Sequence, residues 1–284
     1  MNSTLNLNVL PALKMSPEPP PANTVFSVPA RRNPQLQVLV DRINADEELW
    51  HLWRCANVNA VDRLSLGDHG EVHIRIVANA ALRLLRLLRD AGRLPGVVAQ
   101  HHLTAEDAEV VVVLAAALHD LGLAIRGDTH QTFSLDLVQL KAKELLADLY
   151  PIRERTIIVA EVLHAILAQH DACRCLTLEA GVLKVADALD LAEGRSRIGF
   201  EHGRSGSPAL SASAVDEVKI RRGEQRPVRI EIRMSRSAGI AQADELLRRK
   251  LPHSTLADLV EVVARIESES ERRLVSLYAP EAEV

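Results

Sequence analysis

The stretch from Thr104 to Gly122 constrains this chain more than any other. Thr104, with Asp107 three residues on, has the form of a helix N-cap, and Gly122 the form of a C-terminal stop. Between them runs Val110-Val-Val-Val-Leu-Ala-Ala-Ala-Leu118, apolar on every face. A helix with no polar face has to be surrounded by other elements, which places it inside a helical bundle. The run is too short to cross a bilayer. It ends on two polar residues, His119 and Asp120.

The surrounding helices can be read from their starts and stops. Asn33 as N-cap and Pro34 at the first position open a helix running toward Cys55. Asp68 and Glu71 have the spacing of a capping box, and the helix they open carries His73 on one face with Val77, Leu84 and Leu88. His69 joins that face one turn earlier. Arg75, Arg86, Arg89 and Arg93 lie roughly opposite and read as a solvated stripe. Two further helices, near 130–149 and 152–170, are split by Pro151, and another runs from Thr177 to Gly194 with Asp187 and Asp190. Aromatic residues make up only 2% of the chain, so packing rests on Leu, Val, Ile and Ala, which suits a bundle.

The texture differs at both ends. The first 34 residues hold seven of the 13 prolines and read as a disordered leader with no signal peptide. A Gly- and Ser-rich linker or loop spans 199–213. Val215–Arg222 and Pro227–Met234 then alternate apolar and charged residues around Gly223 and Glu224, as a hairpin does. A helix near 239–251 follows, and Val260–Ile266 fits a third strand or a helix. The fold expected is therefore mainly α: a leader (1–34), a helical metal-binding domain (35–198), a linker (199–213) and a small α+β subdomain (214–284).

Four side chains on three of these helices form a ligand set: His73, the adjacent pair His119 and Asp120, and Asp187. Two imidazoles and two carboxylates suit a divalent Mn, Fe, Mg, Co or Zn ion. Each sits in an apolar context, Asp187 within Leu183-Lys-Val-Ala-Asp-Ala-Leu-Asp190. Buried polar groups of this kind need mutual satisfaction, and a cation supplies it. A second His-Asp pair, His170-Asp171, falls at the exposed end of its helix.

His73-Ile-Arg-Ile-Val77, Leu118-His-Asp-Leu-Gly122 and Lys184-Val-Ala-Asp187-Ala-Leu-Asp190 together resemble the H…HD…D pattern of the HD-domain superfamily of metal-dependent phosphohydrolases. The match covers about residues 60–198. The segments Thr177–Ile198 and Arg229–Ile240 resemble a prokaryotic subgroup with an α/β tail. The resemblance implies an all-α domain that hydrolyses phosphate mono- or diesters, often of nucleotides, with His73, His119, Asp120 and Asp187 as metal ligands. Asp120 would also bridge a second ion where one is present. Some members bind two ions through histidines on later helices; His130 and His164 are the candidates for that role or for a general acid. His69, Lys184, Arg195 and Arg197 are the candidates for contact with substrate, while Lys184 also fits an ordinary solvated lysine and Arg195 and Arg197 also fit a contact between subunits.

Partners and setting follow from weaker features. The net charge of −4 gives no general pull toward nucleic acid or anionic membrane, and nothing in the chain calls for a membrane. Cys55, Cys173 and Cys175 are too few for a disulfide framework, which points to a reducing cytoplasm. The expected partner is a small phosphate ester. The alternative is a non-catalytic module that keeps the metal to hold a nucleotide or RNA. Arg221, Arg222, Arg226, Arg229 and Arg233 would then form a basic surface on the tail, or the tail's edge strands would pair in a homodimer.

Overall fold

The computed structural model describes residues 25–125, 130–170, 173–191, 215–235, 246–267 and 272–277. The helices are α1 (Pro34–Ala45), α2 (Glu47–Asn57), α3 (Glu71–Asp90), α4 (Gly96–His101), α5 (Ala105–Leu118), α6 (His130–Leu145), α7 (Ile152–Leu167) and α8 (Leu178–Asp187). As its composition demands, α5 is the central element. Every residue from Asp107 to Leu118 is buried, and α1, α3, α4, α7 and α8 pack around it. Its start is the expected capping box: Thr104 takes the Asp107 N–H, and the Asp107 side chain takes the Thr104 N–H.

Several boundaries differ from expectation for local reasons. The helix opened by Asn33 does not continue to Cys55. Asp46 ends α1 in an extended conformation, and its side chain accepts the Leu49 N–H at 2.9 Å to start α2. Asp68 and Glu71 form no capping box: the N-cap of α3 is Gly70, and Asp68 accepts the Gly70 N–H at 3.0 Å. At its other end α3 closes on Gly92, whose φ of 78° lets Arg93 N–H reach Leu88 O at 2.9 Å. Gly122 is not a left-handed stop. It lies within a 3-10 turn, Leu121–Ala124, that follows α5 directly. The α8 helix ends at Asp187 rather than at Gly194.

The tail is a four-stranded sheet in the order β1 (Val215–Arg222), β2 (Val228–Met234), β3 (Val260–Glu267) and β4 (Arg272–Leu277). The first two strands form the expected antiparallel hairpin. Val260–Ile266 is a strand, parallel to β2 with Val228 opposite Val260, so a crossover lies between them. Of the helix expected near 239–251, residues 236–245 lie outside those described, and Leu246–Lys250 is a π-helical turn. Alternate residues Val228, Ile230, Ile232 and Met234 on β2 join the same apolar core as the helices. Thr255 donates to Thr177 O at 3.1 Å beside Gly181, where a Cβ would meet the Thr255 backbone N at 2.9 Å.

Of the segment assigned to the leader, residues 1–24 lie outside those described. Phe26 is buried, with its ring 6.0 Å from that of Trp53, and its N–H donates to Asn44 Oδ1 at 3.0 Å. The expected linker at 199–213 is likewise outside the described residues. Among those described, no helix is long and apolar enough to cross a membrane.

Candidate metal centre

The end of α5 is held by groups that use up its last carbonyls. His119 Nδ1 donates to Ala116 O at 2.8 Å, Trp53 Nε1 donates to Ala117 O at 2.8 Å, and Ser134 Oγ donates to His119 O at 3.1 Å. Ser134 also accepts the Gly122 N–H at 2.7 Å, which fixes the turn carrying Asp120. His119 and Asp120 are each 3% exposed.

His73 reaches the same point from the first turn of α3 and is fully buried. Its Nδ1 lies 2.7 Å from Asp190 Oδ2. Carboxylate and carbonyl oxygens only accept, so Nδ1 of both histidines carries the proton and Nε2 of both presents a lone pair. The two Nε2 atoms are 3.3 Å apart. Asp120 Oδ2 sits 3.4 Å from His73 Nε2 and 3.2 Å from His119 Nε2. Asp187 Oδ1, at the last residue of α8, sits 3.5 and 3.8 Å from the same atoms. One ligating atom from each of His73, His119 and Asp187 falls within 4.8 Å of the others.

These spacings separate two explanations. A charge-assisted hydrogen bond between imidazolium and carboxylate closes to about 2.7–2.9 Å, which is what the outer His73–Asp190 pair does. The inner contacts are all longer. Donors bound to one ion at about 2.1 Å stand about 3.0 Å apart at a right angle and about 3.4 Å apart at a tetrahedral angle. Two facing lone pairs with two carboxylate oxygens around them could hold a divalent cation. Asp187, 17% exposed at its side chain, is the most accessible of the four candidate ligands, so the centre opens on its side.

The remaining candidates are placed as follows. His69 stays beside the centre, its ring 5.3 Å from that of His73 and its Nδ1 bound to Gly67 O at 2.7 Å. His164 does not reach the centre. Its Nε2 accepts the Leu176 N–H at 3.1 Å, at the opposite end of α8 from Asp187 and about 14 Å away by helix rise. Burial pushes its pKa down, against the charge of Glu179. Lys184 is neither a substrate contact nor a solvated lysine. It is fully buried and donates to Ala168 O at 2.9 Å, closing the end of α7. His130 begins α6, but its side chain lies outside the described residues, as do Arg195 and Arg197.

Two features escaped the sequence reading. Asp190 orients His73; its position three residues after Asp187, in the same apolar setting, was the available clue. Arg86 and Arg89 are not a solvated stripe, since both bind the buried Glu109 of α5, at 2.8 and 2.9 Å. Four of the five tail arginines have partners, and the fifth, Arg222, is exposed. Arg229 pairs with Glu261 and Glu224, Arg221 with Glu231, and Arg233 with Glu217. Arg226 donates to Ala257 O and Val260 O.

Comparison with known proteins agrees with this geometry. The HD-domain profile matches residues 72–192, the span that holds all four candidate ligands and Asp190. An uncharacterised protein of Methanocaldococcus jannaschii is 34% identical over 233 residues, covering 82% of this chain and 90% of that protein. No solved structure matches. With its helical bundle, its H…HD…D residues converging on one point and this profile match, the chain belongs to the HD-domain family.

Proposed function

We propose that the protein is a metal-dependent phosphohydrolase that cleaves a phosphate mono- or diester, of a nucleotide or related small molecule, with water as nucleophile. The reading rests on one observation above all: two imidazole lone pairs and two carboxylates meet inside an apolar bundle at the spacing of ligands on one ion. His73, His119, Asp120 and Asp187 would hold it. Such an ion, when bound, polarises a phosphoryl oxygen and lowers the pKa of bound water toward neutrality.

The chain's own residues do the rest. Asp190 and Ala116 O fix the two imidazoles as Nε2 donors, so the ligand cage forms with little rearrangement. Asp120, nearest the imidazole nitrogens and almost fully buried, would take the proton released by the attacking water. His69, its ring 5.3 Å from that of His73, would supply a further titratable group. Because Gly67 O occupies its Nδ1, any proton it passes to a leaving group travels through Nε2.

The test is a screen of the purified full chain against nucleotides and general phosphatase substrates, with Mn, Fe, Mg, Co or Zn ions added. Activity should require an added or co-purified ion and should vanish in His119→Ala and in Asp120→Ala. Turnover that survives both substitutions would overturn the proposal. Stoichiometric nucleotide binding with no turnover under any ion would leave a binding module in its place.

A further inference from the structure

A polar groove away from the metal centre plays no part in this chemistry. It is a groove of about 790 Å³ between residues 28–32, the outer face of α3 and the start of α5. Arg86, on its wall, lies more than three turns beyond His73 on the same helix, about 20 Å along the axis, so this cavity is separate from the metal centre. Its volume falls within the range of small-molecule sites.

Five arginines line it, Arg31, Arg32, Arg83, Arg86 and Arg89, against the three carboxylates Asp90, Glu106 and Glu109. The charges are not equally committed. Glu109 is buried and takes Arg86 through Nε at 2.9 Å and a terminal nitrogen at 2.8 Å, and takes Arg89 at 2.9 Å. One carboxylate thus anchors two guanidinium groups. Arg86 also donates to Pro29 O at 3.0 Å, and Asn33 donates to Glu106 O at 2.8 Å, so the wall at 28–32 is tied to the helices. Arg31, Arg32 and Arg83 are exposed, and none has a carboxylate within ion-pair distance among the described residues. Only the Nε of Arg83 is engaged, donating to Ile220 O at 3.3 Å.

We propose that this groove binds a polyphosphate anion, with Arg31, Arg32 and Arg83 as its principal contacts. Uncommitted guanidinium groups around a concavity, beside two more held rigid by a buried carboxylate, match the several oxygens of a linked phosphate chain. A single orthophosphate would fill a small part of 790 Å³. Inorganic tripolyphosphate and a nucleoside triphosphate offer the same chemistry, and the experiment distinguishes them.

The test is calorimetric titration of the full chain carrying His119→Ala and Asp120→Ala, so that the metal centre does not take up the anion. Tripolyphosphate and a nucleoside triphosphate are titrated separately at fixed salt, and thermal melts check that each variant is folded. Arg31→Ala, Arg32→Ala and Arg83→Ala combined should weaken tripolyphosphate binding at least tenfold. The same charge loss from Arg63, Arg93 and Arg174, exposed elsewhere, should change it less than twofold. Equal affinity for both ligands marks the phosphate chain itself as what is recognised; at least tenfold tighter binding of the nucleotide marks a nucleotide site. Undetectable tripolyphosphate binding, or equal loss in the two triple variants, would overturn the proposal. So would a single-stranded oligonucleotide that binds through these arginines where tripolyphosphate does not. Because the background lacks the metal centre, failure here leaves the hydrolase reading untouched, and the reverse also holds.

Discussion

Replacing Asp190 with asparagine tests the geometry of the centre without touching a ligand. The Asp190 carboxylate accepts the Nδ1 proton of His73 at 2.7 Å, and His73 has no solvent exposure, so water cannot enter to replace it. Asparagine nearly preserves shape but removes the charge that raises the basicity of the imidazole. If it turns its amide nitrogen toward Nδ1, it also forces the proton onto Nε2, where it would block ligation. Loss of such an outer partner costs about 10–100-fold in metal affinity, or about 1.4–2.7 kcal/mol. The assay is competition for Mn or Zn ions against a chromophoric chelator, with the metal-free melting temperature measured alongside. Asp190→Asn should bind weakly while remaining folded, and Asp190→Ala should be at least as weak. Wild-type affinity in a folded Asp190→Asn protein would refute the argument that this contact sets the tautomer.

Three other substitutions probe the frame around the site. Glu109→Gln should destabilise the fold by about 1–3 kcal/mol at neutral pH by stripping Arg86 and Arg89 of their anchor. Burial pushes the Glu109 carboxyl up, but hydrogen bonds and charge from Arg86, with help from Asn33 and Arg89, hold it below its ordinary 4.5. The stability it contributes is therefore fully present above pH 4.5 and shrinks as pH falls through the folded-state value, so melting curves of the two proteins should converge in acid. Lys184→Met should lower the melting temperature by exposing Ala168 O to apolar surroundings, at about 1–3 kcal/mol, while metal affinity stays within twofold of wild type. Gly181→Ala should cost about 1–3 kcal/mol by driving α8 from the Thr255 backbone, read by urea denaturation.

How much of this was legible in the sequence depends on what each residue touches. The all-apolar run ending in His119-Asp120 announced a buried helix whose polar end needs partners, and both the bundle and the ligand set follow from that. His164 and Lys184 sit in equally apolar runs, and periodicity shows that such residues face inward. It does not show that their partners are the Leu176 N–H and Ala168 O, backbone atoms supplied by a distant turn. Glu109 is the counterpart on α5. An acid inside a helix with no polar face demands cations, and the arginines of α3 were there to supply them. Strand β3 stayed ambiguous because Val260–Ile266 is apolar on one face at either period, and only its parallel pairing with β2 decides between them. Boundaries slipped where a single side chain rules, as Asp46 does between α1 and α2.

The central claim is that His73, His119, Asp120 and Asp187 hold one divalent ion between them. Elemental analysis of the full chain, purified without chelator and then dialysed, tests it most directly. The account predicts at least one equivalent of a divalent transition metal or Mg per chain, lost in His73→Ala and in His119→Ala while their helical circular dichroism persists. Full metal content in those folded variants, or none in the wild type after loading with each candidate ion, would contradict it.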